Sequence, residues 1–227
     1  MIEAFQVGAA VGGKTLWEGL DMSFGDGEAC VVCGPAGSGK TLLMKILRGE
    51  RRPDAGDVVA GGTSVYRESP EAAVAFRAAS GAVSECFPMI TGRTVRDLFL
   101  LSGTAGDRIT ADERERRREE LLGLMGLEGI RDRELSFLST TEKARVALAS
   151  ELFRDPKYLF ADMLVANAGA EWTDMLGGLF RALAREGKTI VLAERSFPDR
   201  WKAAWAEGTA KGPFRLFRIS GSREGEP

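Results

Sequence analysis

The 227-residue chain contains no histidine. That absence removes imidazole as a general base, a proton shuttle or a metal ligand. Cysteine is scarce and odd in number, at three, which argues for a reducing compartment rather than a disulfide framework. No apolar run reaches the roughly 18 residues that a membrane-crossing helix needs. The opening segment has neither the charged start nor the apolar middle of a secretory signal. An excess of charge is missing too: 31 Lys and Arg stand against 33 Asp and Glu, a net −2 that gives no electrostatic footprint for nucleic acid. The expectation is a cytoplasmic chain forming one large domain, or one domain with an inserted subdomain.

What is present is alternation. Short apolar runs of strand length are interleaved with longer amphipathic segments, the pattern of an α/β protein. "IEAFQVGAAV" and "LWEGLDMSFGDG" read as two strands of an antiparallel N-terminal sheet. "EACVVC" (28–33) reads as a buried strand, followed by a Gly-rich turn and a helix with Leu42, Leu43, Ile46 and Leu47 on one face. Cys30 and Cys33 spell C-x-x-C inside that strand; three apart, they point to opposite faces, which makes them core residues and not a redox or zinc pair. "PDAGDVVAGGTSV" (53–65) reads as turn, short strand and Gly-Gly turn.

From about Thr94 to Phe153 the pattern turns helical, with a capping box at Thr110 and Glu113. The mixed charges from Asp112 to Glu120 read as a solvated helix face. Strand signals return in "YLFAD" (158–162) and "TIVLAE" (189–194). Between them Trp172, Met175, Leu176, Leu179, Phe180 and Leu183 form a core stripe at helical spacing. The tail "GSREGEP" is expected to fray.

Chemistry concentrates in "GPAGSGKT", Gly34 to Thr41, which matches G-x-x-x-x-G-K-[ST] in full between a strand and an amphipathic helix. Glycines let successive backbone N–H groups curl around phosphate oxygens, and the helix presents its positive end to the same anion. In such a loop Lys40 reaches the β- and γ-phosphates and Thr41 offers a hydroxyl to Mg²⁺. About 120 residues further on, Asp162 ends a second apolar strand. A lone buried carboxylate is costly unless a cation or donors face it. Two readings are open for it: a partner for Mg²⁺, or a strand-end Asp that caps its own turn.

With these residues in hand, the chain resembles the ATP-binding cassette (ABC) family along almost its whole length. The loop after "DGE", the helical insert, and "LSTTEKARVALASEL" about 20 residues before Asp162 follow the family's order of Walker A, signature and Walker B. The resemblance implies a P-loop NTPase core of ABC type, with an N-terminal antiparallel β-subdomain and a helical subdomain inserted at about 85–155. The whole, residues 1–227, would be a single nucleotide-binding domain. It implies ATP and Mg²⁺ as ligands, held by Gly34, Pro35, Ala36, Gly37, Ser38, Gly39, Lys40 and Thr41, with Thr41 and Asp162 on the metal. It further implies a membrane permease as partner, pairing with itself or another ABC subunit, no nucleic acid, and a place in the cytoplasm, peripheral on the inner face of the membrane.

Several positions depart from the family's pattern. Val11 stands where an aromatic residue stacks on adenine, Glu85 at the Q-loop glutamine, and Thr140 and Thr141 at the signature glycines, while Leu138, Ser139 and Glu142 remain. Met163 stands at the Walker B glutamate, Arg195 at about the switch histidine, and the D-loop is unrecognisable in "VANAG". No catalytic residue is therefore assigned. A positioned base contributes roughly 10²–10⁴-fold, so a typical turnover of about 10 s⁻¹ falls to about 0.1 to 0.001 s⁻¹ without one. The leading expectation is a cassette that binds Mg-ATP and hydrolyses it slowly or not at all, in a regulatory or structural role. The alternatives are an active transport ATPase using Glu85 or Glu194, or an interaction module that no longer binds nucleotide.

Overall fold

The computed structural model describes residues 1–84, 92–102, 110–165, 169–201 and 214–220. The chain divides into two compact units, residues 1–80 with 157–227, and residues 81–156.

In the first unit, β1 (Ile2–Val11) and β2 (Lys14–Phe24) form a hairpin, and β4 (Ala55–Ala60) and β5 (Thr63–Ser64) extend it into an antiparallel sheet of order β2-β1-β4-β5. The other sheet is built on β3 (Ala29–Cys33), β7 (Tyr158–Asp162), β8 (Thr189–Glu194) and β9 (Phe214–Arg218), all running parallel. With β6 (Ser80–Ser84), at which the division between the units falls, its order is β6-β7-β8-β3-β9.

The parallel strands are apolar along nearly their whole length because both faces are covered. On one face α1 (Lys40–Leu47) lies against β7 and β8, and Leu43, Ile46 and Leu47 join Cys30, Val32, Phe160 and Val191 in a core shared with the antiparallel sheet. On the other, α6 (Ala170–Arg185) packs against β3 and β8, with Trp172, Leu176, Phe180 and Leu183 buried as their spacing predicts. Cys30 is in the first core and Cys33, three residues on, is not. Both are buried free thiols. Burial, with Glu28 beside it, pushes Cys30 up to about 12, and burial, with Glu194 beside it, pushes Cys33 up to about 11. Thiols so hard to ionise are poor nucleophiles.

Three described elements lie outside the sequence expectations: α2 (Pro70–Ala78), β6 and β9. The first carried a legible signal, since Ser69 caps it by accepting from Ala72 N–H and Pro70 opens it. β9, "FRLFR", is an edge strand carrying two arginines, too short and too charged to give a clear strand signal.

The second unit holds α3 (Val95–Leu101), α4 (Ala111–Leu124) and α5 (Thr140–Phe153), with α3 and α4 each packed on α5. Phe99 meets Phe153 edge-on at 5.4 Å between ring centroids. The capping box at Thr110 and Glu113 is present. The charged run is not solvated throughout: Arg118, on the inward side of α4, is 4% exposed and pairs with Glu115. Burial is the first cause that holds its guanidinium below the ordinary value.

The start of α5 keeps a complete capping box despite its two threonines. Ser139 Oγ accepts from Glu142 N–H at 3.2 Å, and Ser139 N–H donates to Glu142 Oε2 at 2.8 Å. That backbone bond, followed by the Ser139 hydroxyl, lowers the Glu142 carboxyl from 4.5. A carboxyl lowered in the folded state stabilises above its unfolded value and loses that contribution as pH falls through the folded one. Wild type is therefore expected to be more stable than Glu142→Gln at neutral pH, with the gap closing as pH falls below 4.5. Ser139→Ala is expected to cost about 1 kcal/mol in chemical denaturation.

Candidate functional site

β3 ends at Cys33, and the chain enters the loop Gly34–Gly39 before α1 begins at Lys40. Gly34 N–H donates to Glu194 O at 3.2 Å, which anchors the loop's first residue to the end of β8. A Cβ on Gly34 would lie 2.4 Å from Ile219 O and 2.6 Å from Ser38 Oγ, so only glycine fits. Gly37 (φ +79°) and Gly39 (φ +86°) are left-handed, the backbone conformation that lets a loop's amide groups line an anion-binding concavity. Gly39 is the N-cap of α1, no side chain caps its first turn, and no acid lies in that turn. Those amides and the helix's positive end are thus left for an anion.

Lys40 is 6% exposed, its ammonium folded over the loop. Nζ donates to Gly34 O and Pro35 O at 2.7 Å each, and to Ser38 Oγ at 3.4 Å. Burial lowers its pKa from the ordinary value; Asp162 opposes that, Arg195 adds to it, and Cys33 and Glu194 oppose it. Exchanging neutral carbonyls for phosphate oxygens would give Nζ stronger, charge-assisted bonds. Thr41 is the second residue of α1 and exposed.

Asp162 ends β7, registered with Ala193 of β8. Its Oδ1 is buried and has no hydrogen-bond partner. An unsatisfied carboxylate oxygen in such a place costs free energy that a cation would recover. Among the described residues no group of three or more acidic or cysteine side chains could form a metal cage. One carboxylate and one hydroxyl nevertheless fit Mg²⁺, which takes few protein ligands when phosphates supply the rest. The residues present therefore fit both the nucleotide's phosphates and the cation.

Met163 follows in a left-handed conformation (φ +58°), and its N–H donates to Ala193 O at 2.8 Å. For a residue other than glycine that conformation costs of order 1–3 kcal/mol. Its thioether has no acid–base function. Val11 is exposed at the end of β1, and Arg195 is exposed just beyond β8. Thr140 and Thr141 are exposed in the first turn of α5. Glu85 and residues 166–168 of "VANAG" lie outside the described residues, as does the tail from 221.

One residue of the site, Trp17, was not legible in the sequence, and a second, Glu194, entered there only as a substitute acid. Trp17 of β2 is buried, and its indole N–H donates to Ser38 O at 3.2 Å. A Cβ on Gly39 would lie 2.7 Å from that nitrogen, so the indole is seated against the loop. Glu194 is 1% exposed, its Oε1 accepting from Val165 N–H at 2.7 Å. A tryptophan in an alternating strand reads as core, and nothing in the sequence shows which loop it meets. A cavity of about 820 Å³ opens beside Gly34 and Pro35, walled by Phe197, Leu216 and Arg218, and does not reach Lys40 or Asp162.

A parallel sheet with a phosphate-binding loop at the carboxyl end of one strand, and an acid at the end of another two places away, defines a P-loop nucleotide-binding fold. The family model described as "ABC transporter" matches residues 17–164, and the chain belongs to that family. Among curated proteins it is similar to the methionine import ATP-binding protein MetN of Geobacillus kaustophilus, 33% identical over 187 residues, covering 81% of this chain and 54% of the relative. The MetN of Bacillus subtilis is 32% identical over 178 residues, 77% of this chain and 51% of the relative. The chain thus spans about half the length of these relatives. Among solved structures, the dimeric bacterial ABC transporter cassette MJ0796 aligns with a TM-score of 0.80 at 21% identity, over 97% of this chain and 94% of that one. CbiO1 of Clostridium perfringens aligns with a TM-score of 0.72 at 22% identity, over 86% and 78%. At those identities the likeness establishes the fold.

The Trp17 contact makes a prediction. Trp17→Phe keeps most of the packing and leaves Ser38 O without its donor. It is expected to lower stability by about 1–3 kcal/mol in chemical denaturation. An unchanged midpoint would show that the indole bond does not hold the loop.

Proposed function

We propose that this chain is an ABC-type nucleotide-binding subunit that grips Mg-ATP and cuts it slowly or not at all. One observation carries the reading: the buried, unpartnered Oδ1 of Asp162, an electrostatic neighbour of Lys40, is followed directly by a methionine. In the reading, the loop amides beyond Pro35 and the start of α1 hold the β- and γ-phosphates. Lys40 exchanges its bonds to Gly34 O and Pro35 O for phosphate oxygens, and Thr41 and Asp162 face the cation. Mg²⁺, when bound, supplies charge neutralisation between the phosphates. No described side chain is placed to take a proton from water where the family positions its glutamate: Met163 has no basic group, and Glu194 Oε1 is engaged with Val165 N–H. With Val11 in place of a stacking aromatic, base contacts weaken by about 1–3 kcal/mol, a value taken from nucleic-acid stacking.

The same reading makes the chain a regulatory or structural cassette docked on a membrane permease, at the inner face of the membrane. It is supported by the family membership and by the absence, among the described residues, of a helix long and apolar enough to cross a membrane. The relatives named for methionine import are matched over about half their length, so their substrate is not carried over to this chain.

The test is calorimetric binding of Mg-ATP beside steady-state turnover. Wild type is expected to bind, Lys40→Ala to lose binding, and turnover to stay below about 1 s⁻¹. Met163→Glu is expected to raise turnover by about 10²–10⁴-fold. Turnover above about 1 s⁻¹ in wild type, lost in Lys40→Ala, would sink the slow-hydrolysis reading. No heat with millimolar Mg-ATP would favour a pure interaction module.

A further inference from the structure

Glu194 is the last residue of β8, almost fully buried, and has no part in the chemistry above. It meets both halves of the site. Its backbone carbonyl accepts from Gly34 N–H at 3.2 Å, where the phosphate loop begins. Its side-chain Oε1 accepts from Val165 N–H at 2.7 Å, three residues past Asp162. Met163 N–H is taken in turn by Ala193 O at 2.8 Å. The turn that leaves β7 therefore hangs from the end of β8 at two points, and one of them is this carboxylate.

The identity of the second amide matters. An aspartate at the end of a strand ordinarily satisfies its own oxygens with the backbone N–H groups two or three residues on, forming an Asx turn or a cap. Val165 N–H stands at that offset from Asp162, and Glu194 occupies it. The Met163 N–H, the amide next to Asp162, is taken by Ala193 O. Asp162 Oδ1 itself is buried and unpartnered, so it bonds neither of these nor the Leu164 N–H between them. The left-handed backbone at Met163, which only a fixed surrounding maintains, lies between the same two bonds.

We propose that Glu194 is a positioning residue that denies Asp162 the Val165 amide and so keeps the aspartate's oxygen available to a divalent cation. The inference rests on the reading of Asp162 as cation-facing. It gives Glu194 a role distinct from a substitute base, one carried by its acceptor oxygen.

The experiment measures ATP affinity with Mg²⁺ and with a chelator, for wild type, Glu194→Ala and Glu194→Gln. Hydrogen exchange of the segment containing Val165 is followed in parallel. Glu194→Ala is expected to reduce the Mg²⁺-dependent gain in affinity about tenfold or more, as loss of an outer partner of a metal ligand does. Affinity without Mg²⁺, which depends on the loop and Lys40, is expected to hold, and exchange at Val165 to quicken. Glu194→Gln, which retains an acceptor, is expected to behave as wild type. Where Glu194→Ala does not fold, Glu194→Met takes its place, filling similar volume without accepting from Val165.

Equal losses with and without Mg²⁺ in the Ala or Met variant would overturn the proposal, as would no loss in either. A Gln variant as impaired as the Ala variant would also overturn it. A wild-type chain whose ATP affinity ignores Mg²⁺ overturns the cation reading of Asp162 itself, and the proposal with it. A Mg²⁺-dependent wild type with an unaffected Ala variant overturns the role of Glu194 alone.

Discussion

The parallel register of three strands is the constraint on which the site depends. β3 pairs with β8 so that Cys33 stands opposite Glu194, and β8 pairs with β7 so that Ala193 stands opposite Asp162. The phosphate loop and the aspartate are thereby brought to one edge of the sheet, though more than a hundred residues separate them in the chain. A slip of one residue would turn every side chain of a strand to the other face, exposing Cys30 and Val32 to the wrong core. The cores on both sides of the sheet therefore fix the register, and the register fixes the chemistry.

On that edge charge is arranged economically. A chain without histidine places Asp162, Glu194 and Arg195 within electrostatic reach of Lys40. The burial of Lys40 costs part of its charge stabilisation, and the two carboxylates offset it. Lys40 is engaged by carbonyls and Glu194 by Val165 N–H, while Asp162 Oδ1 is bare. A buried acceptor without a partner is where an anion-bound cation gains most. On the proposed reading, that asymmetry, more than the loop alone, suits the site to a metal-bound phosphate and not only to an anion.

Much of this was legible in the sequence because it lay in local patterns. The glycines of the loop, the apolar strands, the stripe on α6 and the capping box at Thr110 are short-range signals, and each has its counterpart in the fold. What was not legible was long-range or mixed in character. Arg118 sits in a run of charges and reads as solvated, yet one helical face of that run is turned inward. β9 is an edge strand whose partner lies far back in the chain. Trp17 and Glu194 reveal their parts only through the backbone atoms they meet, Ser38 O and Val165 N–H. Side chains that bond to backbone leave no trace in sequence spacing.

Holding and cutting a nucleotide make unequal demands on such a fold. On the proposed reading, holding depends on backbone geometry: left-handed glycines, an uncapped helix start, and strand ends kept in register. Disturbing any of these disturbs the core as well, since Gly34 is wedged against Ile219 and Gly39 against Trp17. On that reading cutting depends on one side chain, at position 163, whose backbone N–H bonds Ala193 O. A methionine there leaves the sheet, the loop and Asp162 as they are. The fold can therefore lose its water-activating acid without loosening its grip on phosphate, because the two functions meet at neighbouring residues but rest on different bonds.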